Sequence, residues 1–233
     1  SAVQPVLQKI SVPGAERLSV HCIRKDPTGR LWLGTSAKGL WRVDPDGSAP
    51  VIYSYQEDGT GLSHTYVFCL EADTRDRMWI GTPTGGVNVL DTRSEKIWHI
   101  QNDPEEPGSL SNDIILSFYT DDRGYLWVGT VDGLNRTELP LTEITADLLD
   151  KGKVRFRKYG RNEGLPNEVV YGMLDDGAGS LWMSTNRGIA VFHMADEKVS
   201  AVITPADGLQ NNEFNQNAFY LTSNGTMFFG GVE

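Results

Sequence analysis

The chain has 233 residues, 39% of them apolar and 22% charged, with a formal net charge of −10. That balance fits a globular chain of one or two domains with a buried core and excludes a disordered polymer. The acidic surplus argues against nucleic acid as a partner, and no run of about 18 uncharged apolar residues is present to span a membrane.

The N-terminus, Ser1-Ala2-Val3-Gln4-Pro5, has neither the basic start nor the apolar run of a secretory signal. The chain stops at Phe229-Gly230-Gly231-Val232-Glu233, inside an expected strand. It therefore reads as a piece of a longer protein, with Ser1-Ala2 as a cloning remnant.

Between these ends one phrase recurs. Leu31-Trp32-Leu33-Gly34-Thr35 returns as Met78-Trp79-Ile80-Gly81-Thr82, Leu126-Trp127-Val128-Gly129-Thr130 and Leu181-Trp182-Met183-Ser184-Thr185, then fades into Met227-Phe228-Phe229-Gly230-Gly231. The aromatic positions step by 47, 48, 55 and 46 residues. Six residues before the aromatic stands Asp26, Asp73, Asp121 or Asp176, with Thr222 in the last copy. Three residues before it stands Gly29, Gly124, Gly179 or Gly225, with Asp76 in the second copy. An acidic-to-glycine turn between apolar runs is a hairpin signature, with the Asp capping the turn.

In chain order, the first unit (near 18–60) predicts strands over 19–25, 31–35, 40–44 and 51–55. The second (61–108) predicts them over 66–72, 78–82, 87–91 and 97–101. The third (109–163) carries the longer step, and its excess reads as a surface insertion with a short helix over 141–149. A fourth unit (164–207) and an incomplete fifth (208–233) follow. Four short strands repeated in tandem describe an all-β chain, a β-propeller fragment of about five four-stranded blades. A single four-stranded sheet has two apolar faces and can cover neither alone, so blades must stack. The repeated Trp then belongs between blades, its indole N–H paired. Five units leave the ring incomplete or closed on itself, and open end faces would favour a homodimer.

Ten residues before each aromatic stand Cys22, Cys69, Ser117, Gly172 and Ala218, all small, as a crowded innermost strand requires. Cys22 and Cys69 stand 47 residues apart, the repeat length. They are equivalent packing positions rather than disulfide partners.

The pattern of Asp, turn Gly, Leu-Trp-hydrophobic-Gly-Thr and Gly-Leu, from about Leu18 to Gly231, resembles the two-component regulator propeller repeat. The resemblance implies the periplasmic sensor region of a membrane-bound, often hybrid, histidine kinase. Such receptors typically hold two propellers, a β-sandwich, a membrane helix and catalytic parts, so the implied partners are a neighbouring propeller and a β-sandwich. This fragment holds no kinase, cyclase or membrane segment and would not itself be an enzyme. The resemblance also suggests an oligosaccharide or other small ligand.

No nucleophile elbow, phosphate loop or zinc spacing is present, so no catalytic residue, metal ligand or cofactor is assigned. The candidate ligand-binding residues lie in the loops entering the inner strands. They are His64 and Tyr66, Asn112 and Asp113, Asn167 and Glu168, and Asn212 and Glu213. Each follows a Gly-Leu or Ser-Leu pair, and by position the four loops gather on one face of the disc. Such a ring of polar side chains offers hydrogen bonds to sugar hydroxyls. The competing local role is capping of their own turns. Two other functions stay open: a protein-interaction or dimerisation scaffold, and a propeller lyase or hydrolase in which His21 and His64 would act.

Overall fold

The computed structural model describes residue 12, residues 14–46 and residues 48–232. The first sheet is β1 (Val20–Lys25), β2 (Leu31–Thr35), β3 (Leu40–Val43) and β4 (Val51–Tyr53). The second is β5 (Cys69–Ala72), β6 (Arg77–Gly81), β7 (Val87–Asp91) and β8 (Ile97–Ile100). The third is β9 (Ile115–Thr120), β10 (Leu126–Thr130), β11 (Leu134–Thr137) and β12 (Phe156–Tyr159). The fourth is β13 (Gly172–Asp175), β14 (Ser180–Thr185), β15 (Gly188–His193) and β16 (Lys198–Ile203). The fifth holds two strands, β17 (Phe214–Leu221) and β18 (Met227–Gly231). Strands within each sheet pair antiparallel in sequence order, the meander of a propeller blade.

The first strands of successive sheets lie against one another around one axis. At that axis Asn217 of β17 donates to the carbonyls of Phe68 at 3.1 Å and His21 at 3.5 Å. The fifth unit thereby reaches the first and second.

The core sits between sheets. Trp32 and Leu40 of the first pack with Met78, Ile80 and Leu90 of the second. Trp79 and Val89 meet Phe118, Leu126 and Val128 of the third. Trp127 and Leu134 meet Met173, Leu181 and Met183 of the fourth. Trp32, Trp79 and Trp127 are fully buried. Trp182 differs from the expectation of a core indole. It is half-buried, because the two-stranded fifth sheet covers less of the fourth sheet's face.

The Asp before each Trp does two jobs at once. One oxygen caps the turn: Asp73 Oδ1 accepts from the N–H groups of Arg75 (2.8 Å) and Arg77 (3.1 Å). The other accepts the indole N–H of Trp79 at 2.9 Å. Asp26–Trp32 and Asp121–Trp127 repeat that bond at 2.9 and 3.0 Å, and Asp176–Trp182 lengthens to 3.4 Å. In the first two units an Arg completes the set: Arg30 and Arg77 pair with their Asp and lie 5.7 and 5.8 Å over the indole.

The small inner-strand column also gains a cause beyond crowding at the axis. Cys22, Cys69 and Ser117 lie opposite Gly34, Gly81 and Gly129. A Cβ on Gly81 would lie 2.4 Å from Cys69 Sγ and 2.7 Å from Ile115 Cγ2 of the next blade. Both columns must be small so that the next blade's Val67, Ile115 or Val170 can enter. Those residues then donate their N–H to Thr35, Thr82 and Thr130 at 2.9–3.0 Å. Both cysteines are free thiols. Burial pushes the Cys22 thiol up to about 12 and holds that of Cys69 well above its ordinary value.

The insertion departs from the expected helix over 141–149: α1 spans Ala146–Asp150. The preceding residues 141–143 form a turn instead, held by a partner far away in sequence. Buried Arg77 donates to the carbonyls of Leu141 and Ile144, each at 2.6 Å. Thr145 caps α1, its hydroxyl accepting the N–H of Leu148. Asp150, at the other end, accepts the Trp98 indole N–H at 2.6 Å and pairs with Lys96.

Candidate functional site

Four loops lead into β5, β9, β13 and β17. Leu62, Leu110 and Leu165 are buried and anchor the first three. Past the anchor, His64 Nδ1 accepts the Tyr66 N–H at 2.9 Å. Asn112 Oδ1 accepts from Ile114 at 2.8 Å, and Asn167 Oδ1 from Val169 at 2.9 Å. Three residues of the candidate set therefore share one local geometry, a side-chain acceptor closing its own turn.

The next residue stitches blades together. The carbonyls of Thr65, Asp113, Glu168 and Asn212 accept the N–H groups of Gly39, Gly86, Gly133 and Gly188 in the preceding blade, at 2.8, 3.0, 2.6 and 2.8 Å. These glycines have φ between 68° and 93°. At Gly39 a Cβ would stand 2.1 Å from the Tyr53 carbonyl oxygen, so the stitch needs Gly.

The rest of the set divides by partner. Asp113 Oδ1 accepts the Asn102 N–H at 2.7 Å, and Glu168 pairs with Arg161 at 3.1 Å. Asn212 and Glu213 are exposed. Tyr66 turns toward the axis, its hydroxyl 3.3 Å from His21 Nδ1 and its ring edge-on to His21 and Phe68. The structure thus brings Tyr66 and His21 together, while His64 is held in the turn of its loop. Burial lowers the His21 pKa, and its Nε2 has no hydrogen-bond partner among the described residues.

Several polar groups here were not among the sequence candidates. Asn88 Oδ1 accepts the Ser63 N–H at 2.8 Å, and Asn135 Oδ1 accepts that of Ser111 at 2.9 Å. A shared signal was available, since each Asn follows a Gly-hydrophobic pair. Lower on the inner strands Arg24 meets Glu71 at 2.7 Å, where burial raises the carboxyl although the guanidinium opposes it. Tyr119 donates to Asp175 at 2.5 Å. Chemically the face offers distributed hydrogen-bonding groups. Among the described residues no three or more His, Cys, Asp or Glu side chains gather as a metal-binding group.

The family model for the two component regulator propeller matches residues 16–37, 61–84, 109–132 and 164–187. These four repeats belong to the two-component regulator propeller family. These propeller repeats are 25% identical, over 183 aligned residues, to histidine kinase P4 of Formosa agariphila, covering 63% of this chain and 13% of the kinase. The fold is similar to the extracellular domain of a hybrid two component system from B. thetaiotaomicron. The TM-score is 0.75 with 25% identity, covering 96% of this chain and 28% of that one. A likeness of fold alone extends to virginiamycin B lyase from Staphylococcus aureus. There the TM-score is 0.60 with 16% identity, over 97% of this chain and 73% of that one. The chain therefore spans well under a third of the kinase and of the ectodomain that it matches. Among the described residues no helix is long and apolar enough to cross a membrane.

Proposed function

We propose that this propeller is a non-catalytic receiving part of a periplasmic two-component sensor, and that its loop-rich face binds an oligosaccharide. The observation that carries the reading is the likeness to an extracellular two-component domain over 96% of the chain. The face supports it. His64, Asn112 and Asn167 each use one polar atom to hold their turn and keep the other for a ligand, beside exposed Asn212 and Glu213. Polar groups fixed by their own backbone are preorganised, which lowers the entropy lost on binding. In the parent, a ligand favouring one arrangement of this propeller against its neighbouring propeller and β-sandwich would shift the receptor population toward that arrangement and pass the signal to a histidine kinase.

A thermal-shift screen of oligosaccharides against the purified chain tests the reading. One glycan class should raise the melting temperature by a few degrees, and Asn167→Ala with Glu168→Ala should remove the rise. A flat response across all classes would sink the carbohydrate reading. Turnover of a glycan that disappears in His21→Ala would move the chain to the enzymes.

A further inference from the structure

The insertion in the third unit builds a cavity of about 240 Å³ against the outer part of the loop that leads into β9, away from Asn212 and Glu213 of the loop ring. Its floor is the end of β8, with His99, Ile100 and Gln101. One wall is α1 and the turn after it, with Leu149 and Val154 buried. The opposite wall is the 103–109 loop. Both walls are fixed. Asp150 ties α1 to Trp98 and Lys96 of the second blade. Phe156 donates its N–H to the Gly108 carbonyl at 2.8 Å, and Arg155 pairs with Glu106 at 3.2 Å. The Arg155 stem lies where a Gly108 side chain would be, only 2.5 Å from that Cβ position. The cavity is thus preformed and bounded by residues of two blades.

Its chemistry is one-sided. Arg155 already engages Glu106 Oε2 and the carbonyls of Gly152 and Val154. Among the described residues, Glu106 Oε1, Asp103 Oδ2 and the Gln101 amide have no side-chain partner, while the His99 ring turns to the other face of the sheet and meets the Gly61 carbonyl. Acceptors therefore outnumber free donors. The carboxylates of Asp103 and Glu106 against one guanidinium leave a surplus negative charge. Small-ligand pockets run to about 300–1,000 Å³, so this one suits a single ring rather than a chain.

We propose that this cavity is a second binding site, for a one-ring polyol bearing an ammonium group, the chemistry of an amino sugar. The ammonium sits by Glu106 and Asp103, the hydroxyls reach Gln101, and the carbon face rests on Ile100, Leu149 and Val154. The site does not depend on the loop-ring reading.

Calorimetric titration of the whole chain with glucosamine, glucose and glucuronate tests it. Glucosamine should bind at least about 10-fold tighter than glucose, a difference of about 1.4 kcal/mol, with glucuronate weakest. Gln101→Trp, at an exposed position of the lining, should fill the mouth and abolish binding. Glu106→Gln should erase the preference for glucosamine, and Asn212→Ala with Glu213→Ala should change nothing. Circular dichroism melts check that each variant folds. If Gln101→Trp does not, the Glu106→Gln comparison decides alone. No heat with glucosamine, equal affinities for all three sugars, or unchanged binding in the folded variants would overturn the site.

Discussion

The Asp that opens each repeat is worth different amounts in different blades. Asp73 holds two backbone N–H groups together with the buried Trp79 indole and the buried Arg77 guanidinium. Removing it strands a buried cation and an indole donor, which costs about 3–5 kcal/mol. Asp176 makes the same turn on the exposed side of the fourth blade, has no Arg, and stands 3.4 Å from a half-buried Trp182. Water can replace those bonds, so its loss costs about 1 kcal/mol. Urea unfolding of Asp73→Ala and Asp176→Ala should therefore separate the two variants by roughly 2 kcal/mol or more. Equal losses would mean that the capped turn, common to both, is the whole role of the residue.

At the scale of the element, the decisive contact is three-way: inner strand, second strand and the entry residue of the next blade. Gly81→Ala should destabilise by about 1–3 kcal/mol, because its Cβ overlaps both Cys69 Sγ and Ile115 Cγ2. Cys69→Ala in the same chain removes one of the two clashes, so a double-mutant cycle should show the second change recovering part of the first. Simple additivity of the two costs would contradict the shared space. This element also marks what the sequence discloses. Strands, hairpin turns and the Trp phase were legible because each depends on residues within about ten positions, as Asp73, Gly81 and Trp79 do. The helix was misplaced because Arg77, 64 and 67 residues upstream, binds the Leu141 and Ile144 carbonyls, and residues 141–143 turn before α1 begins. The anchoring leucines of the loop face could be read from their spacing. That His64, Asn112 and Asn167 close their own turns required backbone geometry. The cavity was hidden for the same reason as the helix: its walls meet through Trp98 and Asp150, 52 residues apart.

For the whole molecule, stacking leaves a difference between inner and end blades. The second and third sheets are covered on both faces. On the first sheet Leu33, Trp41 and Val43 are partly covered by Val12, Ala15 and Leu18, while Ile23 stays 64% exposed. Among the described residues the fifth sheet has two strands, and Tyr220 and Phe228 are 65% and 57% exposed. Burying such surface gains roughly 25 cal/mol per Å², so the end faces should drive association of the isolated chain. Two modes differ in outcome. Fifth sheet against fifth sheet is isologous and closes at two copies, whereas fifth against first is heterologous and can extend. The fifth sheet has the barer face, since the first carries the cover of Val12, Ala15 and Leu18. A dimer plateau is therefore expected in sedimentation velocity as concentration rises. Tyr220→Ser with Phe228→Ser should weaken it about 10-fold or more, and Ile23→Ser should leave it unchanged. Loss of association in Ile23→Ser, or growth beyond two copies, would show the head-to-tail mode instead, and a monomer at every concentration would mean that these faces are too small to associate.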